Sequence, residues 1–342
     1  MSIQDKAWYI TDDRIDHSDS VENPARASFA SYLLLFFPPF VWSTNFIVGK
    51  ALVGQVPPWT LNTGRFVVSA LILLPLLFYR GDWRTVPKTF FPTLILMSLT
   101  GVFAFNSVLY MGLRYTTAIN ATLVNSTTPV TTACLAWLLI GEQMTQRRIL
   151  GILLSFFGVG WIVSRGSLEI LSQLSFNPGD VIVFFATTLW GFYSVMAKRM
   201  MAVLSPFVLT AVTTGIGALF LLPVSVLELS TEHADLARGP VILAFLYLGI
   251  FPSFVAFLIW NRSILIFGPS RATLVYNTLP LFAVILSVIF LGEKLMVYQI
   301  VGGLVIIAGV MIGTLEGNST SGKNLQSFGR PAPAAPRSTP DT

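Results

Sequence analysis

The sequence is poor in ionisable and metal-binding side chains. Only 11% of its 342 residues are charged, its one cysteine is Cys134, and its two histidines are His17 and His233. Neither histidine has ligand neighbours at metal spacing, and they cannot complete a Ser-His-Asp or Cys-His arrangement inside a membrane. A carboxylate pair for acid–base chemistry is also missing. We therefore expect no enzyme, no metal site, no cofactor and no internal disulfide.

Long hydrophobic runs dominate the chain instead. Hydrophobic residues make up 54% of it and the mean hydropathy is +0.73, which is typical of a multi-spanning helical membrane protein. A span needs about 20 apolar residues, and ten segments approach this length. They cover residues 30–50, 58–79, 90–113, 118–140, 149–165, 179–199, 206–227, 240–266, 272–291 and 298–315. Outside them, residues 1–29 and 316–342 are predicted to be disordered cytoplasmic tails.

The placement of basic residues predicts the topology. If the N-terminus is cytoplasmic, fifteen Lys and Arg fall on the inside and six on the outside or its borders, as the positive-inside rule requires. Both termini are then cytoplasmic, and residues 30–166 and 178–315, with five spans each, insert in opposite orientations. The predicted fold is an all-α integral membrane protein whose ten transmembrane helices form two inverted five-helix repeats. The basic balance indicates this orientation in the cell membrane and not nucleic-acid binding.

An internal repeat carries a proline in each copy. Residues 121–124 and 272–275 are both Ala-Thr-Leu-Val, an offset of 151 residues (272 minus 121) that also aligns Pro129 with Pro280. Proline has no amide hydrogen, so the carbonyl four residues earlier loses its helical partner. Neighbouring Ser or Thr side chains can satisfy that carbonyl. Alternatively, the two matched breaks form a transporter's midplane binding site.

Two further motifs also occur twice. A Trp-x7-Lys segment begins at Trp42 and at Trp190, near mid-span, where an indole N–H favours a cavity that offers it a partner. An interface anchor is the alternative for Trp42. A Pro-x12-Glu segment with Gly before the Glu follows each break, and Pro178-Gly179-Asp180 opens the sixth span.

In this order, the motifs resemble the EamA family of the drug/metabolite transporter superfamily over residues 30–315. The resemblance implies two inverted five-helix repeats with a cavity lined by the first, third, fourth, sixth, eighth and ninth helices. It also implies export or exchange of small metabolites, including amino acids, or of toxic compounds.

We predict a substrate-binding site built from polar and aromatic side chains within the spans. Its residues are Trp42, Asn45, Asn106, Tyr110, Asn125, Thr128, Trp190, Tyr193, Trp260, Tyr276 and Asn277, with Pro129 and Pro280 as hinges. This neutral, amide-lined and aromatic set suits a compact neutral or zwitterionic solute better than a polyanion. No carboxylate lies mid-span, which favours uniport, exchange or weak coupling over tight proton coupling. The alternatives are multidrug or toxic-compound efflux by the same fold, and an integral-membrane enzyme or sensor.

Several residues near span ends have mainly structural interpretations. We expect Arg65 to snorkel to the interface, with an outer gate or a partner for a substrate carboxylate as the alternative. Glu142 is expected to cap the next helix. Gly309 and Gly313 allow close helix packing, either within the chain or in a homodimer. The predicted partners are thus a small solute, the lipid bilayer and a second copy of the chain.

Overall fold

A computed structural model describes residues 29–52, 55–113, 115–116, 124–172, 178–291 and 295–314. Within these ranges the chain forms helices and turns, and it forms no strand. The two predicted tails, apart from residue 29, lie outside the described residues, as does Glu293 of the second Pro-x12-Glu segment.

The described helices are numbered in chain order. They are α1 (Phe29–Leu52), α2 (Pro58–Tyr79), α3 (Phe91–Met97), α4 (Phe105–Leu113), α5 (Thr128–Ile140), α6 (Gln146–Val163), α7 (Leu168–Ser172), α8 (Pro178–Met200), α9 (Pro206–Thr231), α10 (Gly239–Leu248), α11 (Ala256–Phe267), α12 (Pro269–Tyr276), α13 (Leu279–Leu291) and α14 (Val297–Thr314). Two π-helical segments, Ser98–Ala104 and Gly249–Val255, join α3 to α4 and α10 to α11.

Seven helical stretches in the described ranges are long and apolar enough to cross a bilayer. They are Pro58–Tyr79, Lys88–Leu109, Gln146–Val163, Pro178–Met200, Pro206–Thr231, Gly239–Phe267 and Val297–Thr314. Tyr32–Thr44 and Thr128–Ile140 are shorter apolar helices. Several such stretches in one chain indicate a multi-pass membrane protein. The number of ten spans stays a prediction.

Helix boundaries recur at the offset found in the sequence. The two π-helical segments begin 151 residues apart (249 minus 98), as do α5 and α13 (279 minus 128) and α6 and α14 (297 minus 146). α2 and α9 begin 148 residues apart (206 minus 58), and each contains a proline at that second offset, Pro75 and Pro223. Corresponding sequences in the two parts of the chain therefore fold into corresponding elements.

α6 and α14 pack closely because glycines face each other. A Cβ atom on Gly151 would lie 2.6 Å from the carbonyl oxygen of Gly309, and one on Gly158 would lie 2.8 Å from that of Gly302. The early part of each helix thus meets the late part of the other, and the two helices run antiparallel. Gly309 and Gly313 both lie against α6, so their close packing is within the chain.

The first helix of the N-terminal part and the first helix of the C-terminal part each pack against helices of the other part. α1 packs against α11 and α13, while α8 packs against α4 and α5. This arrangement places α1, α8, α11 and α12 side by side in the interior. It is here that the predicted site residues meet.

The loop before α6 differs from the prediction. The side chain of Thr145 caps α6 by accepting a hydrogen bond from the amide of Arg148 at 3.3 Å, and Glu142 instead pairs with Nη1 of Arg148 at 2.9 Å. The prediction that Glu142 caps the helix is therefore wrong. A threonine already occupies the cap position, and the buried guanidinium of Arg148 offers Glu142 a charge-assisted hydrogen bond.

Candidate functional site

Five predicted site residues form one buried cluster, which we call the aromatic box. It consists of Trp42 on α1, Trp190 and Tyr193 on α8, Trp260 on α11, and Tyr276 at the end of α12. None of the five is more than 8% exposed. Because α1 belongs to the N-terminal part and the other helices to the C-terminal part, the box lies where the two parts meet.

The rings of the box are in direct contact. The Trp42 ring lies 5.6 Å from that of Trp190, 5.3 Å from that of Trp260 and 5.8 Å from that of Tyr276. Trp190 stacks on Trp260 at 5.7 Å and on Tyr193 at 5.4 Å. These separations fall in the range where aromatic pairs attract beyond the burial of their area.

Two phenylalanines that the sequence analysis did not select extend the box. Phe105 stacks on Trp190 at a centroid distance of 5.0 Å. Phe257 lies 5.7 Å from the Trp190 ring and 5.3 Å from that of Tyr193. Phe105 is the first residue after one π-helical segment, and Phe257 is the second residue after the other.

The three indole N–H groups of the box have different surroundings. Nε1 of Trp42 donates to the carbonyl of Pro252, inside the second π-helical segment, at 3.0 Å. Nε1 of Trp190 and of Trp260 are buried and have no hydrogen-bond acceptor among the described residues. A buried donor without an acceptor costs about 1–3 kcal/mol, so these two donors are positions where a bound solute would add stability.

A small polar network supports one wall of the box. Asn261 donates to the Tyr193 hydroxyl at 3.0 Å and to Oγ1 of Thr210 at 2.9 Å. Asn261 is fully buried and follows Trp260 directly. The network holds the phenol ring of Tyr193 in place, and it joins α8, α9 and α11.

The helix breaks predicted before the two prolines are present. α5 starts at Thr128 after a turn at residues 126–127, and α13 starts at Leu279 after a turn at residues 277–278. The breaks touch, since Nδ2 of Asn277 donates to the carbonyl of Ser126 at 3.3 Å. It also donates to Oγ of Ser155 at 3.1 Å. Ser126 and Asn277 are equivalent positions at the 151-residue offset (277 minus 126).

The carbonyl that Pro129 deprives of its helical partner is not left open. The Thr128 hydroxyl donates to the Asn125 carbonyl at 2.6 Å, so the first of the two interpretations holds for that atom. The side-chain oxygens of Asn125 and Asn277 behave differently. Both are buried, and neither has a hydrogen-bond donor among the described residues.

The remaining predicted residues lie around this centre. Asn106 is half-buried at the start of α4, and Pro129 and Pro280 are the second residues of α5 and α13. Asn45 lies in α1 and Tyr110 in α4, but their side chains are outside the described part of the chain. The structure thus brings the aromatic residues and the two breaks together and leaves Asn45 and Tyr110 as predictions.

Arg65 does not snorkel to the interface as expected. It is only 7% exposed, its Nε donates to Oγ of Ser253 at 2.7 Å, and its guanidinium lies 5.1 Å from the ring of Phe66. The expectation is wrong because the polar hydroxyl that Arg65 reaches belongs to the second π-helical segment in the protein interior and not to the membrane surface.

Comparison with known proteins gives a consistent result. The model of the EamA-like transporter family matches twice, at residues 29–164 and 177–315. The uncharacterized transporter YyaM of Bacillus subtilis is 30% identical over 282 residues, which cover 82% of this chain and 91% of that protein. An uncharacterized transporter of Archaeoglobus fulgidus is 28% identical over 286 residues, which cover 84% and 98%. A crystal structure with a TM-score of 0.68 and 22% identity, covering 84% of this chain and 96% of its own, has a similar fold.

Proposed function

The chain belongs to the EamA-like transporter family, and from this membership we propose that it carries a compact neutral or zwitterionic solute across the cell membrane by alternating access. The solute binds in the aromatic box, between two inverted five-helix repeats. Both termini are cytoplasmic, and the direction is export or exchange.

The observation that carries this proposal is the pair of buried indole N–H groups of Trp190 and Trp260 without an acceptor. A box of stacked rings alone is also what an ordinary core provides. An ordinary core does not leave two buried N–H donors without an acceptor, because a buried polar group normally finds a partner. A solute with a hydrogen-bond acceptor would supply that partner and stack on the rings.

The two helix breaks contribute hydrogen-bond acceptors, whereas the box contributes donors. The side-chain oxygens of Asn125 and Asn277 are acceptors without donors among the described residues, and Tyr276 connects the second break to the box. A solute that carries both an acceptor and a donor, such as a zwitterion or an amide, would satisfy both sets. This pattern favours compact solutes over large hydrophobic drugs, which need fewer polar contacts.

The inverted arrangement is supported by the recurring boundaries and by the antiparallel packing of α6 on α14. Inverted repeats allow the two halves to exchange conformations around a fixed central site, which is the basis of alternating access in many secondary transporters. The two proline breaks then act as the hinges.

The test is counterflow of radiolabelled solutes into proteoliposomes that contain the purified full chain. A panel of neutral and zwitterionic amino acids, purines and organic cations is compared for the wild-type protein, Trp190→Phe and Trp137→Phe. Trp137 is 60% exposed on α5 and serves as the matched control. We expect Trp190→Phe to weaken solute binding by about fivefold, since one hydrogen bond contributes about 1 kcal/mol, and Trp137→Phe to leave flux unchanged. Equal behaviour of the two variants, or flux of no solute in the panel, would contradict the proposal.

A further inference from the structure

We infer that Glu142 forms an ionic latch between the two parts of the chain, which holds one end of the helix bundle closed and is released each time that end opens. The latch consists of Glu142 from the N-terminal part and of Lys198 and Gly268 from the C-terminal part. This inference rests on the proposed function, because a latch of this kind has a role only in a protein whose ends open and close.

The latch joins two of the duplicated sequence motifs, for which the aromatic box and the helix breaks provide no role. Glu142 ends the first Pro-x12-Glu segment, and Lys198 ends the second Trp-x7-Lys segment. Glu142 follows α5 directly, and Lys198 lies in the last turn of α8. The placement of basic residues predicts that these helix ends face the cytoplasm.

Glu142 reaches the C-terminal part at Gly268. A Cβ atom on Gly268 would lie 3.4 Å from Oε1 of Glu142 and 3.9 Å from Oε2, so the carboxylate packs against this glycine. Gly268 joins α11 to α12 with φ 85° and ψ 159°, a conformation that essentially only glycine adopts. The contact therefore falls on the residue about which α12 can turn.

Lys198 fixes the adjoining end of α11. Its Nζ donates to the carbonyl of Leu265. The helical partner of that carbonyl would be the nitrogen of Pro269, which carries no hydrogen. Glu142 in turn attracts the Lys198 ammonium electrostatically. The carboxylate of one part thus meets a glycine and a cation of the other part, both at the junction of α11 and α12.

Within the N-terminal part, Glu142 is anchored on one side only. Its Oε1 accepts from Nη1 of Arg148 at 2.9 Å, and Arg148 also donates to the carbonyl of Gln143 at 2.9 Å. Its Oε2 is buried and has no hydrogen-bond partner among the described residues. A half-satisfied carboxylate makes the closed arrangement less stable than a fully satisfied one would, so the contact with the C-terminal part can break in each cycle.

α12 connects the latch to the aromatic box. This helix has eight residues, with Gly268 before its start and Tyr276 at its end. The ring of Tyr276 lies 5.8 Å from that of Trp42 and 6.1 Å from that of Trp260. A turn of α12 about Gly268 therefore moves one wall of the box, and release of Glu142 is coupled to exposure of the site.

The experiment follows the accessibility of a buried position on α12. Thr273 is fully buried between Gly268 and Tyr276, so Thr273→Cys in a Cys134→Ser background reports the opening of this end. Sealed proteoliposomes of known orientation are treated, without solute, with a membrane-impermeant thiol reagent from either face. We expect Glu142→Gln to raise the labelling rate by about fivefold from the face nearer Glu142, because loss of about 1 kcal/mol changes an equilibrium by that factor. The rate from the opposite face should not rise.

Two further variants keep the result interpretable. Asp82→Asn is the matched control, because Asp82 pairs with Arg80 at 3.0 Å within the N-terminal part, and its loss should leave the labelling rate unchanged. Lys198→Met removes the other charge of the latch and should also raise the rate, which tests the latch even if Glu142→Gln fails to fold. In the double variant the combined effect should be smaller than the product of the two single effects, because both charges act through one contact.

Three results would overturn the latch: equal labelling of Glu142→Gln and Asp82→Asn, an increase from the opposite face only, or independent effects of Glu142→Gln and Lys198→Met. The proposed function is tested separately, because this labelling needs no solute. Failure of the latch would leave solute flux and its dependence on Trp190 unchanged, whereas flux of no solute would contradict the proposed function alone.

Discussion

Removing one N–H group from the aromatic box should have opposite consequences at two tryptophans. At position 42 the group donates to the carbonyl of Pro252 at 3.0 Å, whereas at position 190 it has no acceptor among the described residues. Replacement by β-(3-benzothienyl)alanine keeps the size and shape of the bicyclic ring and removes only the donor. The two substitutions therefore compare a satisfied donor with an unsatisfied one in the same cluster.

The magnitude follows from the environment of each group. Loss of the Trp42 donor removes one buried hydrogen bond and leaves the carbonyl of Pro252 without that donor. Such a loss costs about 1–3 kcal/mol in proteins generally. Measured values in bilayers average about 0.6 and reach about 1.7 kcal/mol, so we expect about 1 kcal/mol here. At Trp190 the same change should leave the free energy of unfolding unchanged or raise it, while it weakens solute binding.

The assay is equilibrium unfolding in mixed micelles by titration with a denaturing detergent. The expected result is a loss of about 1 kcal/mol at position 42, which is about a fivefold change in the unfolding equilibrium, and no loss at position 190. An equal loss at both positions would show that the Trp190 donor is satisfied in the folded protein, and it would refute the assignment of that donor to a solute.

Two further predictions concern the scaffold. Gly158→Ala should lower the thermal stability of the purified protein because the new Cβ would lie 2.8 Å from the carbonyl oxygen of Gly302. The control Gly239→Ala should not lower it, because a Cβ at Gly239 has no atom within 4 Å. Equal melting temperatures of the two variants would contradict the packing of α6 on α14. Glu228→Gln should destabilise the protein by about 0.5–1 kcal/mol, because the carboxylate accepts from the amide of Thr60 at 2.7 Å at the N-terminus of α2. The Glu228→Gln loss should shrink as salt is added during unfolding, and a loss independent of salt would assign it to packing.

The broad outline of the fold and the contact between the two breaks could be predicted from sequence because both depend on repetition. Hydrophobic runs predict helices in a bilayer, and a single offset in the sequence aligns Pro129 with Pro280. Ser126 and Asn277, which now join the breaks, sit at that same offset. Equivalent positions of the two copies meet each other here, so the repeat itself is the sequence signal for this contact.

The π-helical segments could not be predicted in the same way. The second segment contains Pro252, which removes an amide donor from the helix. The equivalent position of the first segment is Gly101, where close contact with the Tyr193 ring, 2.3 Å from a hypothetical Cβ, allows no side chain. Such a contact depends on the packing of α8 and leaves no local pattern in the sequence.

Asn261 and Arg65 show two different limits of the sequence argument. Asn261 was not selected as a site residue, although the 151-residue offset pairs it with Tyr110 (261 minus 110), which was selected, so the repeat contains the signal that finds it. The inward orientation of Arg65 could not be predicted, because distance from a span end does not say whether a long side chain turns outward to the headgroups or inward to a hydroxyl such as that of Ser253.

The most direct test of the central claim is whether one position in the box is reached from both sides of the membrane. Tyr276→Cys in a Cys134→Ser background is treated with a membrane-impermeant thiol reagent, applied either outside or inside sealed proteoliposomes of known orientation. Alternating access predicts slow labelling from each side and protection by any solute that the flux panel identifies. Labelling from one side only, or from both sides without protection, would contradict the account.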